Sequence, residues 1–204
     1  QAVRMPLAGF RGGTVPALRM NGKRVVGTRQ ISRFLDQVQP EPPLFPADPL
    51  LRGRVEGAEE WGEEVLQPIP RRLLRWAVRN DPEVRVMFAE MLGMPAPKLV
   101  APTMVPFGIF YSRREEAHSR ERIRADFEAL PGHLDHIDEL IADGVLGGED
   151  LNAADFQIAT TLRVMLAMED YAESIGGRPA EDLARRVWPD YDYSVPSLSG
   201  RLAA

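Results

Sequence analysis

Apolar residues along this chain change their spacing several times, and each change predicts an element. From Thr14 to Val26, β-branched and apolar positions flank the pair Asn21-Gly22. Asn-Gly supplies the positive φ angles of a type I′ turn, so a hairpin is predicted with strands over Thr14–Met20 and Lys23–Val26. Pro16 sits inside the first strand. Proline cannot donate to a ladder, so either this strand start is an edge or its bond is special. From Gly27-Thr28 the spacing lengthens: Ile31, Phe34, Leu35 and Val38 share one helical face, with Thr28 placed as the cap. Gln39–Pro49 then carries five prolines in eleven residues, which cannot continue a helix and favour a stiff, extended linker.

Helical spacing returns from Pro49 to Arg79, where Leu51, Val55, Ala58, Gly62, Val65, Leu66, Ile69, Leu73 and Trp76 recur every three or four residues. Pro68 and Pro70 fall inside that pattern and predict a kink. Glu83–Leu92 reads as another helix, ended by Gly93-Met94-Pro95. The apolar run Leu99–Tyr111 is interrupted by Pro102 and Pro106, and is either a buried connector or the wall of a hydrophobic site. Its aromatics Phe107, Phe110 and Tyr111 suit both. A second long helix is predicted over Arg113–Ala142, with Ile123, Phe127, Leu130, Leu134, Ile137, Leu140 and Ile141 inward and Pro131 marking a bend. Pro179–Trp188 reads as a final helix with proline in its first turn. The tail, Pro189–Ala204, is expected to wrap over the surface.

The strongest local signal is Gly147 to Met168. Asn152 and Asp155, three apart before an apolar run, predict a capping box: Asn152 accepts from a first-turn amide, and Asp155 reaches back to the Asn152 amide. Leu151 and Phe156 are spaced for a hydrophobic staple. Arg163 is the only charge between Phe156 and Met168. A helix apolar nearly all round is a buried one, so this is read as the central helix of a helical domain.

Composition narrows the function classes. At 204 residues the chain needs no disulfide or metal to hold a core, because a domain of that size buries about 70% of its unfolded surface. It has no cysteine, which excludes disulfides, thiolate metal sites and a cysteine nucleophile in this stretch. A net charge of −5 with interspersed acids and bases gives no electrostatic case for nucleic acid. The longest uncharged run is too short to span a bilayer, no signal peptide is legible, and a cytoplasmic enzyme is the default expectation. Gln1 falls within what reads as sheet, so the chain is read as a fragment with residues missing upstream.

Three motifs together resemble the glutathione transferase family. Gly147–Ala159 resembles the start of the core helix of its C-terminal domain, where Asn152 stands for the Ser/Thr of a Ser/Thr-x-x-Asp box. Thr14-Val15-Pro16, the hairpin, Gly27-Thr28 and the following helix resemble the second half of a thioredoxin-like domain. The linker resembles the family's interdomain crossing, which implies that Leu44 and Phe45 plug a pocket between domains. The likeness spans roughly residues 10 to 190. It implies a mainly α fold: a partial thioredoxin-like α/β portion over 1–38, a linker over 39–49, and an all-α C-terminal bundle over 50–204.

The resemblance also implies a site. Val15-Pro16 would be cis, with Val15 offering backbone hydrogen bonds to the cysteinyl part of glutathione. Thr28 and the helix amides would hold the γ-glutamyl carboxylate. Gly27 stands where the family has an acid or Gln, a departure that fits another low-molecular-weight thiol as cosubstrate. The thiol site is therefore Val15, Pro16, Gly27 and Thr28. The long helix would line the cleft for a small hydrophobic electrophile, with Trp61, Gln67 and Arg71 as candidates; core packing is the other reading of Trp61. The implied chemistry is attack by an activated thiolate on an electrophilic carbon or a disulfide. The activating Ser, Tyr or Cys would precede Gln1. A homodimer and detoxification are implied as well. The competing expectation is a non-catalytic relative, a binding or dimerisation module, which Gly27 and the absent front half motivate.

Other constellations carry less. His133 and His136 share a helix face, but no third ligand follows at motif spacing, so a solvated or dimer-facing pair is expected and no metal. Arg71, Arg72, Arg75 and Arg79 cover one flank, either a solvated face or an anion-facing rim. No phosphate loop or Ser-His-acid motif is legible.

Overall fold

A computed structural model of the chain describes residues 16–91, 93–106, 109 and 116–202. It is mainly helical, with one small two-stranded antiparallel sheet. Strands β1 (Ala17–Met20) and β2 (Lys23–Val26) pair with Ala17 opposite Val26 and Met20 opposite Lys23. Asn21 and Gly22 take φ of 51° and 73°, as a two-residue type I′ turn requires. Helix α1 (Thr28–Val38) follows and buries Phe34. Its N-cap is Gly27 and not Thr28, and no side chain caps it.

The proline-rich connection is pinned at its middle through both backbone groups of Leu44. The Leu44 N–H donates to Asp36 Oδ1 at 2.7 Å, and the Leu44 carbonyl accepts from Ala153 N–H at 3.0 Å. Phe45 is buried, with the guanidinium groups of Arg33 and Arg52 over its ring at 4.9 and 5.2 Å. The Glu41–Pro42 bond is cis; the Val15–Pro16 bond lies outside the described residues.

The expected long helix is two helices joined by a π-turn. Helix α2 (Pro49–Trp61) is capped by Asp48, whose carboxylate accepts from Leu51 N–H, and α3 covers Pro68–Asn80. Between them, Gly62–Leu66 forms a π-turn in which Gln67 N–H reaches back to the Gly62 carbonyl at 2.9 Å. Pro68 and Pro70 bring no N–H, and their rings crowd carbonyls four residues earlier. Widening the preceding turn accommodates both, so the kink resolves as a π-turn ahead of Pro68. At this junction the backbone lies close against the core: a Cβ on Gly62 would lie 2.8 Å from Ile158 Cγ1 and 3.0 Å from Gln157 Cγ.

A pair of glycine substitutions tests that approach. Gly57, in α2, has nothing within 4 Å of a built Cβ. Gly57→Ala should stabilise by about 0.5–1 kcal/mol through helix propensity. Gly62→Ala should instead destabilise by about 1–2 kcal/mol, because Ile158 is fully buried and must shift. Denaturant unfolding of both variants checks the opposite signs; equal stabilisation would remove the close approach from the account.

Helices α4 (Pro82–Met91) and α5 (Pro97–Val100), with a 3₁₀ turn over Ala101–Met104, form a smaller group. There Leu99 is exposed and Ala101 buried; Phe107, Phe110 and Tyr111 lie outside the described residues. The second long helix, α6 (Arg120–Ala142), starts later than Arg113 because Ser119 caps it, accepting from Arg122 N–H at 3.1 Å. Pro131 lies inside α6. Helix α7 (Ala153–Leu166) packs against α2, the π-turn, α8 (Glu169–Ile175) and α9 (Pro179–Val187). Its buried residues include Ile158, Ala159, Leu162 and Met165, while Phe156 is on the surface.

The tail is part of the core. Glu169 N–H donates to the Val195 carbonyl at 3.0 Å, and Val195 N–H to that of Ala167 at 2.7 Å. Asp170 accepts from Leu198 N–H, Ser199 N–H and the Ser197 hydroxyl at 2.8–2.9 Å, which seats Val195, Leu198 and Leu202 inside. Among the described residues no helix is long and apolar enough to cross a membrane.

Candidate functional site

The hairpin hands directly over to α1. Gly27 N–H donates to the Pro16 carbonyl at 3.0 Å, closing the ladder, and Gly27 turns the chain with φ 97° and ψ 145°. A Cβ at this φ is strained, and it would lie 2.4 Å from Gln30 Oε1. An acid at position 27 would be strained by this backbone, which gives the glycine a local cause. Thr28 is the first helical residue, beside first-turn amides that have no partner within the helix. The first turn holds no acid, so the partial positive charge of the helix end is uncancelled by its own side chains. Pro16 is exposed at this end, and Val15 lies outside the described residues.

Polar contacts fix α1 on α2. Glu59, 1% exposed, accepts from the Ser32 hydroxyl and the Arg33 guanidinium, each at 2.6 Å. Arg29 donates to Glu60 at 2.8 Å. A buried carboxylate with two charge-assisted or hydroxyl donors makes this contact directional rather than a sliding apolar face.

A groove of about 230 Å³ opens between α3 and α7. Gln67, just ahead of α3, and Arg71 in α3 line one wall, and Thr160 and Thr161 from α7 the other. Pro70, Leu74, Val164 and the Trp188 indole supply its apolar surface. Two of the three cleft candidates, Gln67 and Arg71, thus share one groove. Trp61 does not line it: its ring meets those of His133 at 5.8 Å and His136 at 4.8 Å, both edge-on, and packs against the core. A larger hollow of about 560 Å³ is floored by Trp76, with the Arg120 guanidinium 5.5 Å from that ring; its lining is mostly polar. The smaller groove is mainly apolar, with a few polar groups on its walls.

Burial pushes the His133 imidazole below its ordinary value of 6.5; the Asp126 carboxylate pulls it up and His136 pushes it down again. The folded protein therefore binds this proton more weakly than the unfolded chain. The associated stability is intact above 6.5 and is lost as pH falls through that value toward the folded pKa. Thermal midpoints should fall between about pH 7 and about pH 5, and His133→Gln should flatten part of that fall. A pH profile that His133→Gln leaves unchanged would contradict the assignment.

Sequence reasoning missed the buried pair beneath this cluster. Arg72 donates through Nε and Nη2 to both oxygens of Asp126 at 2.6 Å, and both residues are buried. Arg72 is therefore neither on a solvated face nor on a rim. Tyr171, fully buried, stacks on Phe127 at 5.2 Å, and burial drives its phenol pKa far upward. The available signal was Asp126 itself, an acid on the face defined by Ile123 and Leu130.

Asn152 Oδ1 accepts from Ala154 and Asp155 N–H, while Asp155 Oδ2 accepts from Asn152 N–H at 2.9 Å: a complete capping box. Asp155 Oδ1 also accepts from Gly147 N–H at 2.7 Å, and Asn152 Nδ2 donates to the Val145 carbonyl at 2.8 Å. These two side chains are structural, tying the preceding loop to the helix start. Among the described residues, no group of three or more His, Asp or Glu is placed to hold a metal ion. No protein-family model, curated protein or solved structure matches the chain.

Proposed function

We propose that this chain is a glutathione-transferase-like protein, with a thioredoxin-like portion at the hairpin and α1 and an all-α domain after the linker. It uses glutathione or another small thiol as cosubstrate and acts on a small hydrophobic electrophile. The observation that carries the reading is the groove that brings Gln67 and Arg71 against the capped central helix. Pro16 and Thr28 at the start of α1 provide the thiol peptide's seat, where helix amides favour a carboxylate and stabilise a nearby thiolate. In the transfer step the thiolate sulfur forms a bond to the electrophilic carbon, the leaving group departs with its electron pair, and the thiol proton passes to solvent.

Conjugation of 1-chloro-2,4-dinitrobenzene with glutathione and with a panel of other small thiols tests it. Turnover with at least one thiol is expected. No turnover with any, together with no retention on immobilised thiol, sinks the enzyme reading. The second reading, a non-catalytic binding protein on the same fold, is favoured by Gly27, which offers no acid to receive the ligand's amino group and whose φ would strain one.

A further inference from the structure

We infer that the groove between α3 and α7 takes a small aromatic carboxylate. As a statement about the acceptor substrate this rests on the transferase reading; as a statement about binding it stands on the groove's own residues. Size comes first. Pockets for drug-sized ligands run to about 300–1,000 Å³. At about 230 Å³ this one suits a single substituted ring rather than a nucleotide or a peptide.

The walls then select the ring's chemistry. Leu74 and Val164 offer aliphatic contact, and the Trp188 indole, 40% exposed, offers a flat aromatic face. That indole is held in advance: Arg163, itself buried, donates to the carbonyls of Trp188 and Tyr191 at 3.0 Å each, and the Tyr191 ring meets Trp188 edge-on at 4.7 Å. An aromatic surface fixed before binding loses little entropy when a ring stacks on it.

Polar groups set the sign of the charge. Arg71 lines the α3 wall, and no acid lines the groove among the described residues. A guanidinium has five N–H donors in a planar fork, enough to serve a neighbour and a ligand carboxylate together. On the opposite wall, the Thr160 hydroxyl donates to the Phe156 carbonyl at 2.6 Å and that of Thr161 to the Gln157 carbonyl at 3.0 Å. Both protons are committed to the backbone, so both oxygens can only accept. A ligand with its anionic end toward α3 and a hydroxyl or amino substituent toward α7 satisfies both walls.

Isothermal calorimetry on the full chain, without thiol, tests this with 3-amino-4-chlorobenzoate and the matching 3-amino-4-chlorobenzamide. The acid should bind about tenfold or more tightly than the amide, the worth of one hydrogen bond to a charged group. Arg71→Gln should abolish that ratio while leaving amide affinity in place, and Trp188→Ala should weaken both ligands. Equal affinities in the native chain, no heat from either ligand, or a ratio that survives Arg71→Gln in a folded variant overturns the inference. The native acid-to-amide comparison decides the matter even if a variant fails to fold. Acid-selective binding without turnover by any thiol would remove the transferase reading alone. Turnover of the neutral dinitrobenzene with acid and amide bound equally would remove this inference alone.

Discussion

Asp126→Ala is expected to destabilise the fold by about 3–5 kcal/mol. The reason is an asymmetry in the buried pair. Removing the carboxylate leaves the Arg72 guanidinium 7% exposed and without its bidentate partner. Removing the arginine is milder, because Arg122 Nε stands 3.8 Å from Asp126 Oδ1, half-exposed and able to follow the remaining charge. Arg72→Met should therefore cost less than Asp126→Ala, and the double change Arg72→Met/Asp126→Leu should recover most of the loss. Denaturant unfolding of the three variants checks the order. A double variant as unstable as Asp126→Ala would mean that the pair is net stabilising and not a directional constraint on how α3 meets α6.

Asp155→Ala is expected to cost about 2–4 kcal/mol, above the usual cost of a lost cap. Each carboxylate oxygen takes one backbone N–H, those of Asn152 and Gly147, so the substitution strands two donors at a fully buried residue. Burial pushes this carboxyl upward in pKa, against those two amides and the Arg186 charge. The effect should spread beyond α7. Ala153 N–H carries the contact to Leu44, and Arg186 holds the carbonyls of Gly147, Gly148 and Glu149. Hydrogen exchange should thus accelerate at both the 145–150 loop and the linker. A loss confined to the first turn of α7 would show that the box is local and does not organise the joint.

Local chemistry was legible where a backbone rule acts within a few residues. The Asn21-Gly22 turn, the Asn152–Asp155 box and the proline-rich connection follow from φ preferences, orphan amides and missing donors. The apolar spacing of α2, α3 and α6 was legible for the same reason. Features that depend on distant partners were not. Thr28 has the right side chain for a cap, but the Gly27 N–H bond to the carbonyl of Pro16, eleven residues before Gly27, draws the chain so that Gly27 becomes the cap. Arg72 looks like Arg71, Arg75 and Arg79 in the sequence until Asp126 is brought to it from 54 residues away. The tail's apolar residues are spaced with no helical or strand period, so nothing signalled that Asp170 would draw Val195 and Leu198 into the core.

The groove was half legible. Gln67 and Arg71 are one turn apart and face the same way, which sequence spacing can show. Trp61 is ten residues from Arg71 in a helix interrupted by a π-turn, and it ends on α6. Thr160, Thr161 and Trp188 could not be joined to them without the packing of α7, because no local rule relates residue 71 to residue 160 or residue 188.

A thiol seated where the hairpin meets α1 is what a transferase of this kind requires. Amide chemical-shift mapping of the isotopically labelled full chain, titrated with glutathione and then with other small thiols, observes that seat directly. The expected result is a saturable shift of the Gly27, Thr28 and Arg29 amides with at least one thiol, while groove amides such as Val164 respond only to the aromatic ligand. Unmoved α1 amides at saturating concentrations of every thiol would contradict it.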